Sequence, residues 1–313
     1  MDLIADIGAT NTRAALLDDE GNIVATAAYL NTEHPELSSV LLGFLSQHAD
    51  GATPQRTALA IAAPLAGDQV TMTNIGWQFS QSELKSVLGT GTLTLLNDFE
   101  ALALALPQLT ARDCFSIGTG QALPGAAMAV LGPGSGLGVA SVVVDNNQWV
   151  AIRGEGGHVS LPALDDTEAA VIAEHRDTSG HCSAETLLSG PGLVRIYTSV
   201  CRMRNRTIEP CDPADVTALA EAGDKDAVRS FDVFFAMLGT VAGNLALTVG
   251  ARGGVFIGGG IVPRVTQLIG KSNFRERFVA KGRYRDYLNA IPTAVISCDN
   301  PAFIGLKASL GKF

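Results

Sequence analysis

The sequence predicts an α/β protein of two lobes, each built on a β-β-β-α-β-α unit, and three observations carry that prediction. A glycine-bearing hairpin occurs twice, once from Leu3 to Gly21 and again from Ala129 to Asn147, with Gly8 matching Gly134 and Asp19 matching Asp145 at the same offset. Each copy is an apolar strand, a turn of small residues, a second apolar strand and an Asp/Asn/Gly turn. A third strand follows each hairpin, and strands then alternate with helices. The chain has 313 residues, 47% of them hydrophobic and only 17% charged, which is enough apolar material for two cores and argues against wholesale disorder. Two loops of phosphate size on two similar units point to one nucleotide held between the lobes.

In the first lobe, β segments at 3–8, 12–18 and 23–30 are separated by Gly-, Asp- and Asn-rich turns, which is hairpin chemistry. A helix is expected over 35–48 and a buried strand over 57–64. The run Ser80-Gln81-Ser82-Glu83 fits a capping box opening a helix over 80–88. A strand over 92–97 leads to a helix over 99–106, stopped by Pro107. In the second lobe, strands are expected at 128–132, 137–145 and 148–153, a helical region over 167–203 and a long helix over 224–249 ending at Gly253-Gly254. A strand at 255–257 runs into Gly258-Gly259-Gly260, and a late strand covers 293–297. Asn300 and Pro301 read as an N-cap and first helical position of a last helix over 301–310, which is expected to pack back on the first lobe. The lobes are therefore expected at 1–108 plus 300–313, and at 109–299.

The net charge of −9 argues against a nucleic-acid surface. The most basic stretch, 271–285, carries Arg275, Arg277, Lys281 and Arg283 together with Glu276 and Asp286, and its spacing reads as a solvated helix face. The five cysteines (Cys114, Cys182, Cys201, Cys211 and Cys298) form no CxxC pair, which fits free thiols in a reducing cytoplasm. Met1 leads at once into a strand holding Asp2 and Asp6, so no signal peptide is expected. The uncharged run 233–251 is long enough for a bilayer, but it contains Gly239, Gly243, Asn244 and Gly250 and reads as a buried core helix, so no membrane is expected as a partner.

Several short motifs carry chemistry. In Asp6-Ile7-Gly8-Ala9-Thr10-Asn11, glycine permits a tight turn, backbone N–H groups can form an anion cradle, and Thr10 adds a hydroxyl. Asp6 would repel phosphate directly, so it would need Mg²⁺ or a water between them. The alternative is an ordinary hairpin turn. In Gly132-Pro133-Gly134-Ser135-Gly136-Leu137-Gly138 no Lys-Ser/Thr follows and the next element is a strand, so it is neither a P-loop nor a Rossmann fingerprint. It can offer N–H groups and the Ser135 hydroxyl. Gly258-Gly259-Gly260 would admit a flat ring or ribose, or simply turn a strand into a helix.

Asn97-Asp98 ends an apolar strand, where Asp98 is placed either as a proton acceptor or as an N-cap for the next helix. In Gly154-Glu155-Gly156-Gly157-His158 the glycines exclude a helical zinc motif, so Glu155 and His158 either point into a cavity or sit on an exposed loop. Ser183-Ala184-Glu185 reads as a helix start, where Glu185 by itself is structural. His175, His181 and Cys182 have no recognisable zinc spacing.

Together with Ala62-Ala63-Pro64-Leu65-Ala66-Gly67-Asp68, Asn74-Ile75-Gly76-Trp77 and Leu188-Ser189-Gly190-Pro191-Gly192, this ordered set, spread over nearly the whole chain, resembles the ATP-dependent bacterial glucokinases. The resemblance implies an actin-like (ribonuclease H-like) ATPase fold of two lobes and commonly a cytoplasmic homodimer. It implies Asp98 as catalytic base and Asn97, Asp98, Glu155, His158 and Glu185 as ligands of glucose, the last three placed in the larger lobe. Ala5, Asp6, Ile7, Gly8, Ala9 and Thr10, then Gly132, Gly134, Ser135 and Gly136, match the two phosphate segments for ATP. Gly258, Gly259 and Gly260 match the adenosine segment, and Mg²⁺ would meet Asp6 through water.

Two departures stand out. Ala9 occupies a position where the family often has glycine, which implies a tighter loop or a displaced phosphate. The cysteine-rich zinc motif of the related ROK sugar kinases is missing, which favours the non-zinc group. The competing expectations are a kinase for mannose or fructose, a sugar and nucleotide sensor of the ROK regulator type, and an actin- or chaperone-like ATPase. The sensor should carry a DNA-binding helix-turn-helix ahead of Leu3. The ATPase leaves Glu155, His158 and Glu185 unexplained.

Overall fold

The computed structural model describes residues 1–311 apart from 73 and 208; positions 312 and 313, assigned from sequence to the smaller lobe, lie outside the described residues. The chain divides into two compact units, Met1–Gln108 with Asp299–Phe313, and Leu109–Cys298.

The first unit is a sheet of order β3-β2-β1-β4-β7. β1 (Asp2–Ile7), β2 (Asn11–Leu17) and β3 (Ile23–Leu30) form an antiparallel meander, and β4 (Arg56–Ile61) and β7 (Thr92–Asn97) add in parallel. A four-residue hairpin pair, β5 (Gln69–Met72) and β6 (Trp77–Ser80), lies outside this sheet. Such strands are too short to show alternation, so the sequence did not reveal them.

β1 and β4 are apolar on both faces because both faces are covered. Leu3, Ala5, Ile7, Leu59 and Ile61 pack with Leu41 and Phe44 of α1 (Leu37–His48) and Leu84 of α2 (Gln81–Leu88). Ile4, Ala58, Ala60 and Leu96 pack on the other face with Ala101 of α3 (Asp98–Ala105) and with Phe303 and Leu306 of the C-terminal helix Pro301–Ser309. Asn300 stands at the N-cap of that helix but in the left-handed region (φ 48°), and its side chain makes no cap hydrogen bond.

The second unit is a sheet of order β11-β10-β9-β12-β13-β8. β8 (Cys114–Ile117) is an edge strand that the sequence pattern missed. β9 (Met128–Pro133), β10 (Leu137–Asp145) and β11 (Gln148–Arg153) form an antiparallel meander, and β12 (Gly254–Ile257) and β13 (Thr293–Ile296) add in parallel. The helical region expected over 167–203 is three helices: α4 (Asp166–Glu174), α5 (Ala184–Leu187) and α6 (Gly190–Met203). Asp177 breaks it, accepting from the Ser179 and His181 N–H groups at 2.8 and 3.0 Å, with Gly180 at φ 83°.

α7 (Pro213–Glu221) precedes the long α8 (Lys225–Val249), which ends at residue 249 as expected, with Gly250 (φ 65°), rather than Gly253-Gly254, as its left-handed cap. α8 is apolar and long enough to cross a membrane, but two-thirds of that window is buried within the protein. Its Gly239 and Gly243 lie directly under the carbonyls of Phe274 and Phe278 in α10 (Phe274–Val279), so any Cβ there would collide with backbone. α9 (Thr266–Ile269) and α11 (Arg285–Asn289) complete this side.

The basic stretch is only in part a solvated face: Arg283 is exposed, whereas the other three cations are tied to partners. Arg277 binds both carboxylate oxygens of buried Glu168 at 2.6 and 2.7 Å, Arg275 donates to the Ile291 and Asn289 carbonyls, and Lys281 reaches Asn244 at 2.6 Å. α10 is only six residues long, so no continuous helix face exists to carry these cations outward. Glu168 is 1% exposed and also accepts from Leu164 N–H. Arg277→Ala leaves that carboxylate buried without its counterion and should destabilise the protein by about 3–5 kcal/mol in urea unfolding. Glu168→Leu/Arg277→Met together should recover most of that loss.

Candidate active site

In the first unit, Asp6 follows Ile4 by two residues in β1, which puts it on the sheet face covered by α3 and the C-terminal helix, and Asp98 is the first residue of α3, directly after the carboxyl end of the parallel strand β7. Asp98 is not the N-cap of α3; Asn97 is. The Asn97 Oδ1 accepts from Phe99 N–H at 3.0 Å, and Glu100 returns a carboxylate to Asn97 N–H at 3.2 Å. Asp98 is thereby left at the first helical position, with Oδ1 accepting from Phe99 N–H at 3.0 Å.

Burial pushes the Asp98 pKa up to about 6; the Phe99 N–H pulls it down and the charge of Asp6 pushes it up again. Burial also raises Asp6, and the Arg13 guanidinium, 3.9 Å away across the hairpin, offsets part of that.

The loop after β1 is closed by Gly8 N–H donating to Asn11 O at 3.0 Å, so Gly8 itself has no N–H to offer a phosphate. The N–H groups of Ala9 and Thr10 donate to no acceptor among the described residues and remain for an anion. Ala9 has an ordinary negative φ, so glycine is not needed there and the expected tightening of the loop has no backbone cause. Buried Asn31, which sequence reading did not single out, fastens this loop. Its amide donates to Gly8 O at 2.8 Å, its N–H donates to Thr10 O at 2.9 Å, and its Oδ1 accepts from Thr12 at 2.8 Å. An Asn opening a 3-10 turn directly after a strand was the only local signal.

In the second unit, the segments singled out from sequence converge. Gly134 N–H closes its own loop on Gly136 O at 2.8 Å, leaving the N–H groups of Ser135 and Gly136 without an acceptor among the described residues. Gly258 N–H donates to Leu131 O at 2.9 Å, and Gly259 lies against the Gly132–Pro133 backbone so closely that a Cβ would meet it. The N-terminus of α6 joins them: Gly190 N–H donates to Gly134 O at 2.8 Å, a neighbour that the Leu188–Gly192 motif by itself did not reveal.

Glu185, in the first turn of α5, aims its carboxylate back at this loop, accepting from Leu137 N–H at 2.8 Å and occupying the space where a Gly136 Cβ would stand. The turn carrying Glu155 and His158 lies on the same strand, with Gly157 against Leu137 O and Gly156 against Val139. Beyond it, Ala184 N–H donates to Val159 O at 2.8 Å and Leu161 N–H to Cys182 O at 3.0 Å, which ties the two acidic segments together. Glu155 and His158 are exposed on this turn.

Among the described residues no three His, Cys, Asp or Glu groups are arranged to hold a metal. A single half-buried carboxylate, Asp6, beside a phosphate-sized loop still fits Mg²⁺, which keeps several waters and takes its remaining ligands from substrate phosphates. The glycine segments fit a nucleotide for the same geometric reason: they leave a backbone surface with no Cβ and unspent N–H groups.

The fold matches the crystal structure of glucokinase from an Antarctic psychrotroph with a TM-score of 0.88 at 36% identity, covering 99% of this chain and 98% of that one. It also matches a ROK family glucokinase from Streptomyces griseus, with a TM-score of 0.65 at 17% identity over 99% of this chain and 98% of that one. The class is thus that of the α/β sugar kinases. The glucokinase family model matches residues 3–312, and the glucokinase of Nitrobacter hamburgensis is 42% identical over 305 residues, 97% of this chain and 95% of its own length. The chain belongs to the glucokinase family.

Gly136→Ala should displace the Glu185 carboxylate and raise the KM for sugar about tenfold or more in steady-state assays. Gly154→Ala, where a Cβ meets nothing within 4 Å, should leave it unchanged.

Proposed function

We propose that this protein transfers the γ-phosphoryl group of ATP to the primary hydroxyl of glucose, giving glucose 6-phosphate and ADP. Family membership supports the reading, and the observation that carries it is Asp98: a carboxylate held at a strand end by the Asn97 cap, with a pKa raised to about 6 by burial. In this reading the fold is the actin-like ATPase fold, its two units repeating one β-β-β-α-β-α plan; the matching meander-plus-parallel order of the two sheets supports the repeat.

Asp98 accepts the hydroxyl proton as the sugar oxygen attacks phosphorus, and much of its contribution is orientation because the transition state is loose. Asn97 spends Oδ1 on its cap, so its amide nitrogen is what remains to donate to a sugar oxygen. Glu155 and Glu185 accept from sugar hydroxyls, and His158 supplies a further polar contact. A sugar lacking one of those hydroxyls leaves a carboxylate without its donor, which is the basis for rejecting it.

The unspent N–H groups of Ala9 and Thr10 in the first unit, and of Ser135 and Gly136 in the second, are the donors for the phosphates in this reading, and Gly258, Gly259 and Gly260 are the segment for the adenosine. Asp6 is the residue that would hold Mg²⁺ through water. When bound, that ion offsets charge on the transferring group. A homodimer in the cytoplasm, with sugar and nucleotide as ligands and neither nucleic acid nor membrane as partner, completes the reading and rests on the resemblance and the net charge of −9.

ADP release should require glucose and fall sharply with mannose or fructose; sugar-independent turnover would overturn the assignment. Because burial raises the Asp98 pKa on folding, this group favours the folded state at low pH and opposes it as pH rises from about 4 through 6. Its ionised form costs about 3 kcal/mol at pH 7. Asp98→Asn should therefore raise Tm by several degrees while lowering kcat by about 10²-fold or more and leaving sugar binding measurable. Near-normal kcat would remove Asp98 as the base. In the unaltered enzyme, kcat/KM should fall about tenfold per pH unit below about 6, as Asp98 takes up its proton.

A further inference from the structure

Beside the sugar-binding segments of the second unit lies a polar cleft of about 620 Å³, bordered by His158, His175, Arg176, His181 and Arg195. Three of the five histidines of a chain with net charge −9 meet in this one place. The cleft exists because the expected long helix is broken at 175–183, which swings these side chains around the end of α4.

Two acidic residues also border the cleft, and both are already engaged. Glu174 pairs with Arg202 and accepts from Ser199 at 2.8 Å. Asp177 accepts from Ser179 N–H, Ser179 Oγ and His181 N–H, and these bonds hold its carboxyl below the usual carboxylate range. The cations are less committed. Arg195 donates through Nη1 to Thr186 O at 2.7 Å, and Arg176 makes no hydrogen bond or ion pair among the described residues. An open cleft whose acids are satisfied and whose guanidinium donors are not is chemistry for a small anion, and the planar fork of arginine suits phosphate oxygens.

We propose that this cleft binds a phosphate dianion, free or as the ester of a small metabolite, and that its occupancy weakens sugar binding. The coupling rests on the functional reading above and has a physical route. His158 borders the cleft and belongs to the Glu155 turn, while Arg195 holds the carbonyl of Thr186, the residue after Glu185. An anion that draws His158 and Arg195 toward itself pulls on both sugar-binding segments.

Isothermal titration of the full chain at constant ionic strength, without ATP or glucose, tests the binding directly. Inorganic phosphate and glycerol 3-phosphate, an ester carrying no hexose, are the probes, against chloride as reference. Both should bind the unaltered protein, and Arg176→Glu, with unchanged Tm, should weaken them about tenfold or more. Phosphate held by the glycine loops would persist in that variant, so undiminished binding overturns the proposal, as does no binding at all. Tighter binding of the ester assigns the site to phosphate esters, and equal binding assigns it to the free ion. In a separate assay, phosphate should raise the KM for glucose severalfold in the unaltered enzyme and not in Arg176→Glu. An unchanged KM with intact binding overturns the coupling alone. Absence of glucose kinase activity would overturn the functional reading and leave the binding result standing.

Discussion

The burial of an ionisable carboxylate at the end of a parallel strand is the constraint around which the first unit is organised. Asp98 stands directly after β7, whose Leu96 packs with Ala60 and Ile4 beneath α3 and the C-terminal helix. Burial raises the pKa to about 6, and the Phe99 N–H at the start of α3 keeps it from rising further. A group so placed remains ionised near neutral pH while holding a proton more readily than an exposed aspartate. The same desolvation works against folding, so the carboxylate is a local loss of stability that the apolar packing around it offsets.

The second unit solves a different problem, the close approach of backbone to backbone. Gly136, Gly157 and Gly259 let four chain segments meet where side chains would hold them apart. Glu185 fits between them because Gly136 has no Cβ, and Leu137 N–H orients its carboxylate. The residues proposed to bind sugar and those proposed to bind phosphate in this unit consequently pack against one another. α5 meets the end of the Gly132–Gly136 loop through the Leu137–Glu185 hydrogen bond, and the Glu155–His158 turn meets it through the packing of Gly157 on Leu137 O. Glycine therefore does two jobs in this unit, letting backbone meet backbone at Gly259 and making room for the Glu185 carboxylate at Gly136.

The interior cations show how far local pattern can mislead. Read along the chain, Arg275, Arg277 and Lys281 look like a wet helix face. In space they are ties, because α10 ends after six residues and each long side chain reaches a different partner: the Asn289 and Ile291 carbonyls, Glu168 and Asn244. The apolar α8 was legible as a core helix for the opposite reason. Its glycines and its length are local facts, and their use against Phe274 and Phe278 only confirms what a helix of that composition must do.

What the sequence determined by itself was what short-range chemistry dictates: the hairpins at Gly8 and Gly134, the apolar strands, the long helix, and the residue types Asp98, Glu155, His158 and Glu185 set in glycine-rich turns. Backbone preference and hydrophobic period act over a few residues, so they survive translation from a one-dimensional string. Only the tertiary structure decided that Asn97 rather than Asp98 caps α3, that Asn31 fastens the first loop, that Gly190 meets Gly134, and that Glu185 rests in the space left by Gly136. Each of these joins groups whose meeting depends on how strands and helices pack or on which of two adequate local partners wins, and no periodicity encodes that choice.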